Sequence, residues 1–315
     1  MKSISALTFG GPDVLVIEEG PDLEPGSGEV VVRIEASGVG LVDVLQRSGA
    51  YPGVSPGFVP GLEIAGVIIA VGPDVASELL GTRAFAQIAG GGYATHAHVP
   101  VAALVPLPDS VSASTAVALG VNAAVAVTGC ERAKVKPGDR VLVRGAGGGI
   151  GALAVQTAAA AGALVHAVTS SPERSQRLES LGAHAVIDRT RPQADDAPVV
   201  DVVFDPVGGG DLNRFLELLA PNGRYMLCGV AAGLPSPDFG TILLQRFQQS
   251  LTFSSLSLDT LSQQTRIATY REIFASAEQG TLVPVIDEAF SLDDAASAHR
   301  LLESGSVFGK LILLP

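Results

Sequence analysis

Residues 141–151 read VLVRGAGGGIG, and they decide the fold. Val141, Leu142 and Val143 form a short apolar run of the kind a buried strand uses. The glycines after it predict a turn, and GALAVQTAAAAGA (151–163) predicts a helix. Strand, glycine turn and helix in that order are the context in which a glycine pattern signals a dinucleotide site. The strict G-x-G-x-x-G form is not met: Ala146 stands at its first position, with Gly148 and Gly151 at the other two. Spaced by three, Gly145, Gly148 and Gly151 fit. A glycine at 148 lets backbone N–H groups approach a pyrophosphate, and one at 151 lets the helix lie against the strand. The helix N-terminus adds unpaired donors and a partial positive charge. The candidate cradle is Gly145, Gly148, Gly149, Ile150 and Gly151.

The alternation continues outward. ALVHAVT (163–169) predicts a strand, PERSQRLESLG (172–182) a helix and HAVID (184–188) a strand. After a polar insert, Arg189–Ala197, come strand VVDVVFDPVGG (199–209), helix DLNRFLELLA (211–220), strand GRYMLCGV (223–230) and strand LTFSSLSL (251–258). Strands alternating with helices mean a doubly wound parallel α/β sheet. Before this block, LVIEE, EVVVRIEASGVG and LEIAGVIIAVG are short β-branched runs punctuated by Gly, Pro and Asp, which predict an antiparallel or barrel-like β domain. After it, a long helix to about Gln279, a helix in DDAASAHRLLESG and a final strand FGKLILLP (308–315) follow. That final strand has no partner in the α/β block. Returning it to the first β domain makes that domain discontinuous.

The 315 residues suffice for two domains. A net charge of -12 argues against a nucleic-acid or anionic-membrane surface. Two cysteines, Cys130 and Cys228, are too few for a disulfide framework or a thiolate zinc site, and a reducing, cytoplasmic compartment is the simplest setting. The uncharged runs Val111–Cys130 and Gly145–Pro172 are interrupted by Gly and by Asn122, Gln156 and His166, so they read as core and not as membrane spans.

Several stretches resemble the zinc-free quinone oxidoreductases of the medium-chain dehydrogenase/reductase superfamily. They are GEVVVRIEASGVG leading to Asp43 and RSGAYP, then VPGLEIAGVIIAVG, GGYATH, KPGDRVLVRGAGGGIGALAVQTAAAAGA, DVVFDPVGG, AHRLLESG and FGKLILLP. The resemblance runs over nearly the whole length. It implies a GroES-like substrate domain from both chain ends (1–118 and 259–315) around a Rossmann domain (119–258). The metal-dependent branch needs a Cys/His/acid set. Here Gly61, Leu62 and Glu63 stand at its His–Glu element, and Leu62 cannot ligate; His96 and His98 share a strand face without a third ligand.

An NAD enzyme usually ends its second Rossmann strand with an acid that binds the ribose 2′-hydroxyl. Here that strand ends in Thr169, Ser170 and Ser171, and Arg174 follows Glu173. Hydroxyls and arginine donate to a 2′-phosphate, so NADPH is the expected cofactor. The resemblance adds Arg189 near the adenine ribose, Asn122 beside the nicotinamide, and Val207, Cys228 and Gly229 along its ribose. On the acceptor side the family's Asn and Tyr positions hold Gly40 and Leu45, neither of which can donate through a side chain. Tyr51 is then the nearest candidate donor, either polarising a carbonyl or packing as a loop anchor. Leu45 and Phe58 suggest a hydrophobic quinone or enone pocket. The alternative is an NADPH-binding sensor with little catalysis. The uncharged LTFSSLSL edge predicts a homodimer.

Overall fold

The structure is a computed structural model that describes residues 1–189 and 198–315. The expected polar insert Arg189–Ala197 therefore lies, beyond Arg189, outside the described residues. The chain forms two compact units, residues 1–121 with 261–315, and residues 122–260.

The first unit opens on an antiparallel ribbon, β1 (Lys2–Ala6) and β2 (Leu15–Glu19). Then come β3 (Glu29–Val39), α1 (Leu41–Ser48), β4 (Glu63–Val71), β5 (Arg83–Gln87), β6 (His96–Pro100) and β7 (Leu104–Pro106). Buried Val30, Val32 and Ile34 of β3 pack with Ile64 and Ile68 of β4 in one apolar cluster. That alternating inward set is what fixes strand register. Helix α2 (Ala113–Arg132) carries the chain into the second unit. Its cap is Ser112, whose hydroxyl accepts the Thr115 N–H at 3.0 Å. It is broken at Gly120, which has non-helical dihedrals. It is the one described helix with the length and apolarity of a membrane span, but 72% of that stretch is buried inside the fold.

The second unit follows the glycine turn's own logic. It runs β8 (Arg140–Val143), α3 (Gly149–Ala160), β9 (Leu164–Thr169), α4 (Ser175–Ser180), β10 (Ala185–Asp188), β11 (Val200–Asp205), α5 (Leu212–Leu216), β12 (Leu219–Leu227), α6 (Thr241–Gln245) and β13 (Thr252–Ser255). The strand order is β10-β9-β8-β11-β12-β13 and every pairing is parallel. This is the doubly wound Rossmann order, whose direction reverses between β8 and β11. In sheets of this order ligands generally bind in the crevice at that reversal. The expected eight-residue strand over 251–258 is half that length. Past Ser255 the chain turns, and Leu258 is buried in a short 3-10 turn.

The last part returns to the first unit with α7 (Gln263–Glu278), β14 (Ile286–Ser291), α8 (Ala295–Glu303) and β15 (Lys310–Leu314). β15 pairs antiparallel with β3, Leu311 opposite Val39, and parallel with β14. The orphan final strand of the sequence thus completes the order β14-β15-β3-β4-β5-β7, with β6 also on β3.

Candidate functional site

β8 delivers the chain into the glycine turn. Gly145 has φ +56°, and a Cβ there would lie 2.7 Å from Val207 Cγ2. Gly145 is therefore the turn glycine. Ala146 is fully buried, and its N–H donates to the Val168 carbonyl at 3.1 Å. The spacing 145, 148, 151 is the one the backbone uses. Gly148 is exposed at the N-cap of α3, and no side chain caps that twelve-residue helix. Gly149 and Ile150, half-buried, form its first turn. At Gly151 a Cβ would meet the Gly145 carbonyl oxygen at 2.2 Å and Ala146 Cα at 2.8 Å. The helix therefore packs directly onto the turn. An uncapped helix start beside a bare backbone leaves N–H donors unpaired and adds a partial positive charge, the properties a phosphate needs.

β9 ends at buried Thr169, whose hydroxyl accepts the Ser171 N–H at 3.2 Å. Ser170 is exposed, and the Ser171 hydroxyl donates to Glu173. Arg174 closes a short turn, Pro172–Arg174, and the Arg189 N–H donates to the Thr169 carbonyl at 2.9 Å. Thr169, Ser171 and Arg189 are thus brought together at the end of the second strand. Two carboxylates belong to the same rim. The Ser171 hydrogen bond lowers the Glu173 pKa, and Asp188 lies opposite Thr169 in the β9–β10 register.

The loops after β11 and β12 form the other wall. Buried Asp205 accepts the Val207 N–H at 2.7 Å and the Gly208 N–H at 3.1 Å. The Cys228 N–H donates to the Asp205 carbonyl at 2.8 Å, and a Cβ on Gly229 would lie 2.5 Å from the Pro206 oxygen. Val207, Cys228 and Gly229 therefore all attach to one turn, Asp205–Pro206. Asn122 is half-buried, just past the break in α2. Burial pushes the Cys130 thiol up to about 12 and raises Cys228 well above the ordinary range, so neither is a thiolate at neutral pH.

In the first unit, Gly40 precedes α1. The N–H groups of Ala50 and Tyr51 both donate to the Leu45 carbonyl, at 2.9 and 3.1 Å, which ties the RSGAYP loop to the helix. Tyr51 is 38% exposed, and Leu45 is half-buried. Phe58, also half-buried, is held instead by its carbonyl to the Ala6 N–H at 2.9 Å. The same unit holds several buried polar groups. Asp43 accepts the Gly40 and Gly61 N–H groups at 2.8 Å each. Glu63 pairs with Lys310 at 2.5 Å and accepts the Val121 N–H at 2.8 Å. The Tyr93 hydroxyl lies 3.0 Å from His299 Nε2. Among the described residues no three His, Cys, Asp or Glu side chains converge on a possible metal. His96 and His98 share a face of β6, and their partners are the Thr95 hydroxyl at 2.9 Å and Glu29 at 3.7 Å.

Comparison with known proteins fits this geometry. Residues 26–109 match the alcohol dehydrogenase GroES-like domain, and 181–313 match the zinc-binding dehydrogenase model. The quinone oxidoreductase of Mus musculus is 31% identical over 100% of this chain and 98% of its own. The chain belongs to the quinone oxidoreductase family. Quinone oxidoreductase of Escherichia coli, solved in complex with NADPH, superposes with a TM-score of 0.91 at 27% identity, covering 100% of both chains. A second kind of relative is much longer. A phenolphthiocerol/phthiocerol polyketide synthase polypeptide of Mycobacterium tuberculosis is 33% identical over 96% of this chain, which spans only 14% of that protein.

For this quinone oxidoreductase family member, sequence reasoning missed the buried ion pairs of the two units. Glu63 attracted notice only as the neighbour of the non-ligating Leu62, and Lys310 and Arg144 not at all. No local pattern marks such pairs, because 247 residues separate Glu63 from Lys310 and 61 separate Arg144 from Asp205.

Proposed function

We propose that this protein transfers a hydride from NADPH to a quinone or an α,β-unsaturated carbonyl, without a metal. The observation that carries this reading is the uncapped glycine cradle at the reversal point of a parallel six-stranded sheet. Family membership supports it, and the Escherichia coli relative's complex supports NADPH over NADH. When bound, the cofactor supplies the hydride. The chain's own residues bind and orient it. The N–H groups of Gly149–Gly151 face the pyrophosphate, and Thr169, Ser170, Ser171, Arg174 and Arg189 line the 2′-phosphate end, where the Ser171 hydroxyl has to turn from Glu173 to donate. Asn122, Val207, Cys228 and Gly229 border the nicotinamide end. On the acceptor side Gly40, Leu45 and Phe58 leave an apolar surface, and Tyr51 is the hydroxyl that polarises a carbonyl or relays a proton. Two free cysteines suit a cytoplasmic setting. The open edge of β13 suits a homodimer.

The test is NADPH oxidation against a panel of quinones and enones. Turnover with an apolar acceptor is expected, falling about tenfold or more in kcat in Tyr51→Phe. NADPH binding without turnover on any acceptor rejects the enzyme and favours a sensor. The absence of donor side chains at Gly40 and Leu45 motivates that second reading. Unchanged activity in Tyr51→Phe removes Tyr51 alone.

A further inference from the structure

Arg144 opens the glycine turn, yet its side chain is only 5% exposed. Its guanidinium reaches across the reversal point to three acceptors, all on the chain from β11 to α5. They are Asp205 Oδ2 at 2.8 Å, the Gly208 carbonyl at 2.9 Å and Asp211 Oδ1 at 2.8 Å. Its Cζ lies 3.9 Å from the centroid of the Phe215 ring. Asp205 is wholly buried and in turn fully occupied. Besides Arg144 it takes the Val207 and Gly208 N–H groups on Oδ1 and the Tyr225 hydroxyl, at 2.5 Å, on Oδ2. One buried carboxylate and one buried guanidinium thus join the turn after β8, the loop after β11 and the β12 strand. These are the elements that border the crevice.

Only arginine can bind this way. Its planar fork presents five donors at fixed angles, whereas a lysine ammonium is a point charge that cannot span Asp205, Gly208 and Asp211 at once. A buried ion pair adds little stability over a well-packed apolar one. What this one adds is a side-chain tie between the two loops beyond the last backbone rung, the Arg144 N–H to the Phe204 carbonyl at 3.0 Å.

We propose that Arg144 is a positioning residue for the dinucleotide. It clamps the glycine turn to Val207–Gly209, so that the two walls of the crevice stand at the spacing the pyrophosphate and the nicotinamide ribose need, while touching neither. This rests on the reading of the crevice as a dinucleotide site. The clamp lies on the β8–β11 side. The residues expected to tell NADPH from NADH, Thr169 to Arg174, lie on the β9 side. Loosening the clamp therefore weakens both dinucleotides by the same factor, a signature that distinguishes it from a 2′-phosphate contact.

NADPH and NADH are titrated into wild type, Arg144→Lys and the double variant Arg144→Met/Asp205→Asn. The double variant leaves no buried charge unpaired and serves where the single change does not fold. In protein folded by circular dichroism, Kd for both dinucleotides rises about tenfold or more. The NADPH-to-NADH ratio stays at the wild-type value, and KM for NADPH rises by more than kcat falls. Arg174→Ala, by contrast, shifts the ratio. Wild-type affinity in both Arg144 variants overturns the proposal, and so does a ratio that moves with them. A wild-type protein that binds neither dinucleotide overturns the cofactor reading itself, and the clamp with it.

Discussion

Gly148 and Gly151 lie three residues apart and carry opposite demands. A methyl group at 151 meets backbone at 2.2 Å, whereas at 148 its nearest neighbour is the Gly145 oxygen at 3.4 Å, an ordinary contact. Gly151→Ala must push the turn off the helix. The expected cost is about 1–3 kcal/mol of stability, seen as a lower urea midpoint, together with at least tenfold weaker NADPH binding, roughly what a displaced site loses. Gly148→Ala leaves the midpoint at the wild-type value and weakens binding alone, because in the proposed cradle its methyl group obstructs only the phosphate's approach. Equal midpoints for both variants would contradict this account. The same pair shows what a glycine pattern conveys. Three glycines in register were legible, but whether Gly145 or Ala146 makes the turn depends on φ, which spacing does not encode.

At the scale of elements, α1 and α8 meet over two buried groups that titrate in opposite senses. Burial raises the Asp43 carboxyl to about 6, against the N–H groups of Gly40 and Gly61 and the Lys310 charge, while the nearby Glu63 adds to the rise. Burial, and then the charge of Arg47, push His299 down to about 3. Tyr93 stands against His299, with its own pKa raised by burial first and by Asp43 next. The folded state holds the Asp43 proton more tightly than the unfolded chain, where an aspartate titrates near 3.8. Its contribution is therefore full below 3.8 and lost as the pH rises through about 6. His299 does the reverse. Its contribution is full above 6.5 and lost as the pH falls through about 3. In urea unfolding between about pH 4 and pH 7, Asp43→Asn should gain stability relative to wild type as the pH rises, and His299→Gln should lose it, each on the order of 2–3 kcal/mol. Parallel pH profiles for wild type and either variant would refute the assignment. In the sequence Asp43 stood out only as part of a motif, and the structure gives it two backbone donors at once. Segment lengths were legible where pattern and tertiary pairing agree, as in α3. They failed where pairing overrides the pattern. DLNRFLELLA looks like one ten-residue helix, but Leu219 pairs with Val200 and begins β12, so α5 stops at Leu216.

For the whole molecule, the six-stranded sheet ends on β13. The stretch Leu251–Leu256 carries no charge and no proline, and exposed Leu244 and Phe247 stand just before it, at 74% and 77%. Edges left open in this way pair with a second copy unless charge or a bulge blunts them. Sedimentation should give twice the chain mass for wild type and the single-chain mass for the double variant Thr252→Lys/Ser254→Lys. A wild type at single-chain mass ends the dimer reading. The two-unit architecture itself was legible from the unpartnered final strand. The contacts that make its return obligatory were not.

The Glu63–Lys310 pair also sets an order of events during synthesis. The ribosome makes Glu63 early and its counter-ion 247 residues later. Until Lys310 emerges, a carboxylate destined for a nearly solvent-free slot has no cation, and an unmatched buried charge costs about 3–5 kcal/mol. Residues 122–260, made in between, hold Arg144 and Asp205 within their own span and can close first. The unit 122–260 holds all the strands of its own sheet and can close on the nascent chain, whereas the other unit lacks its last strand until Lys310–Leu314 is made.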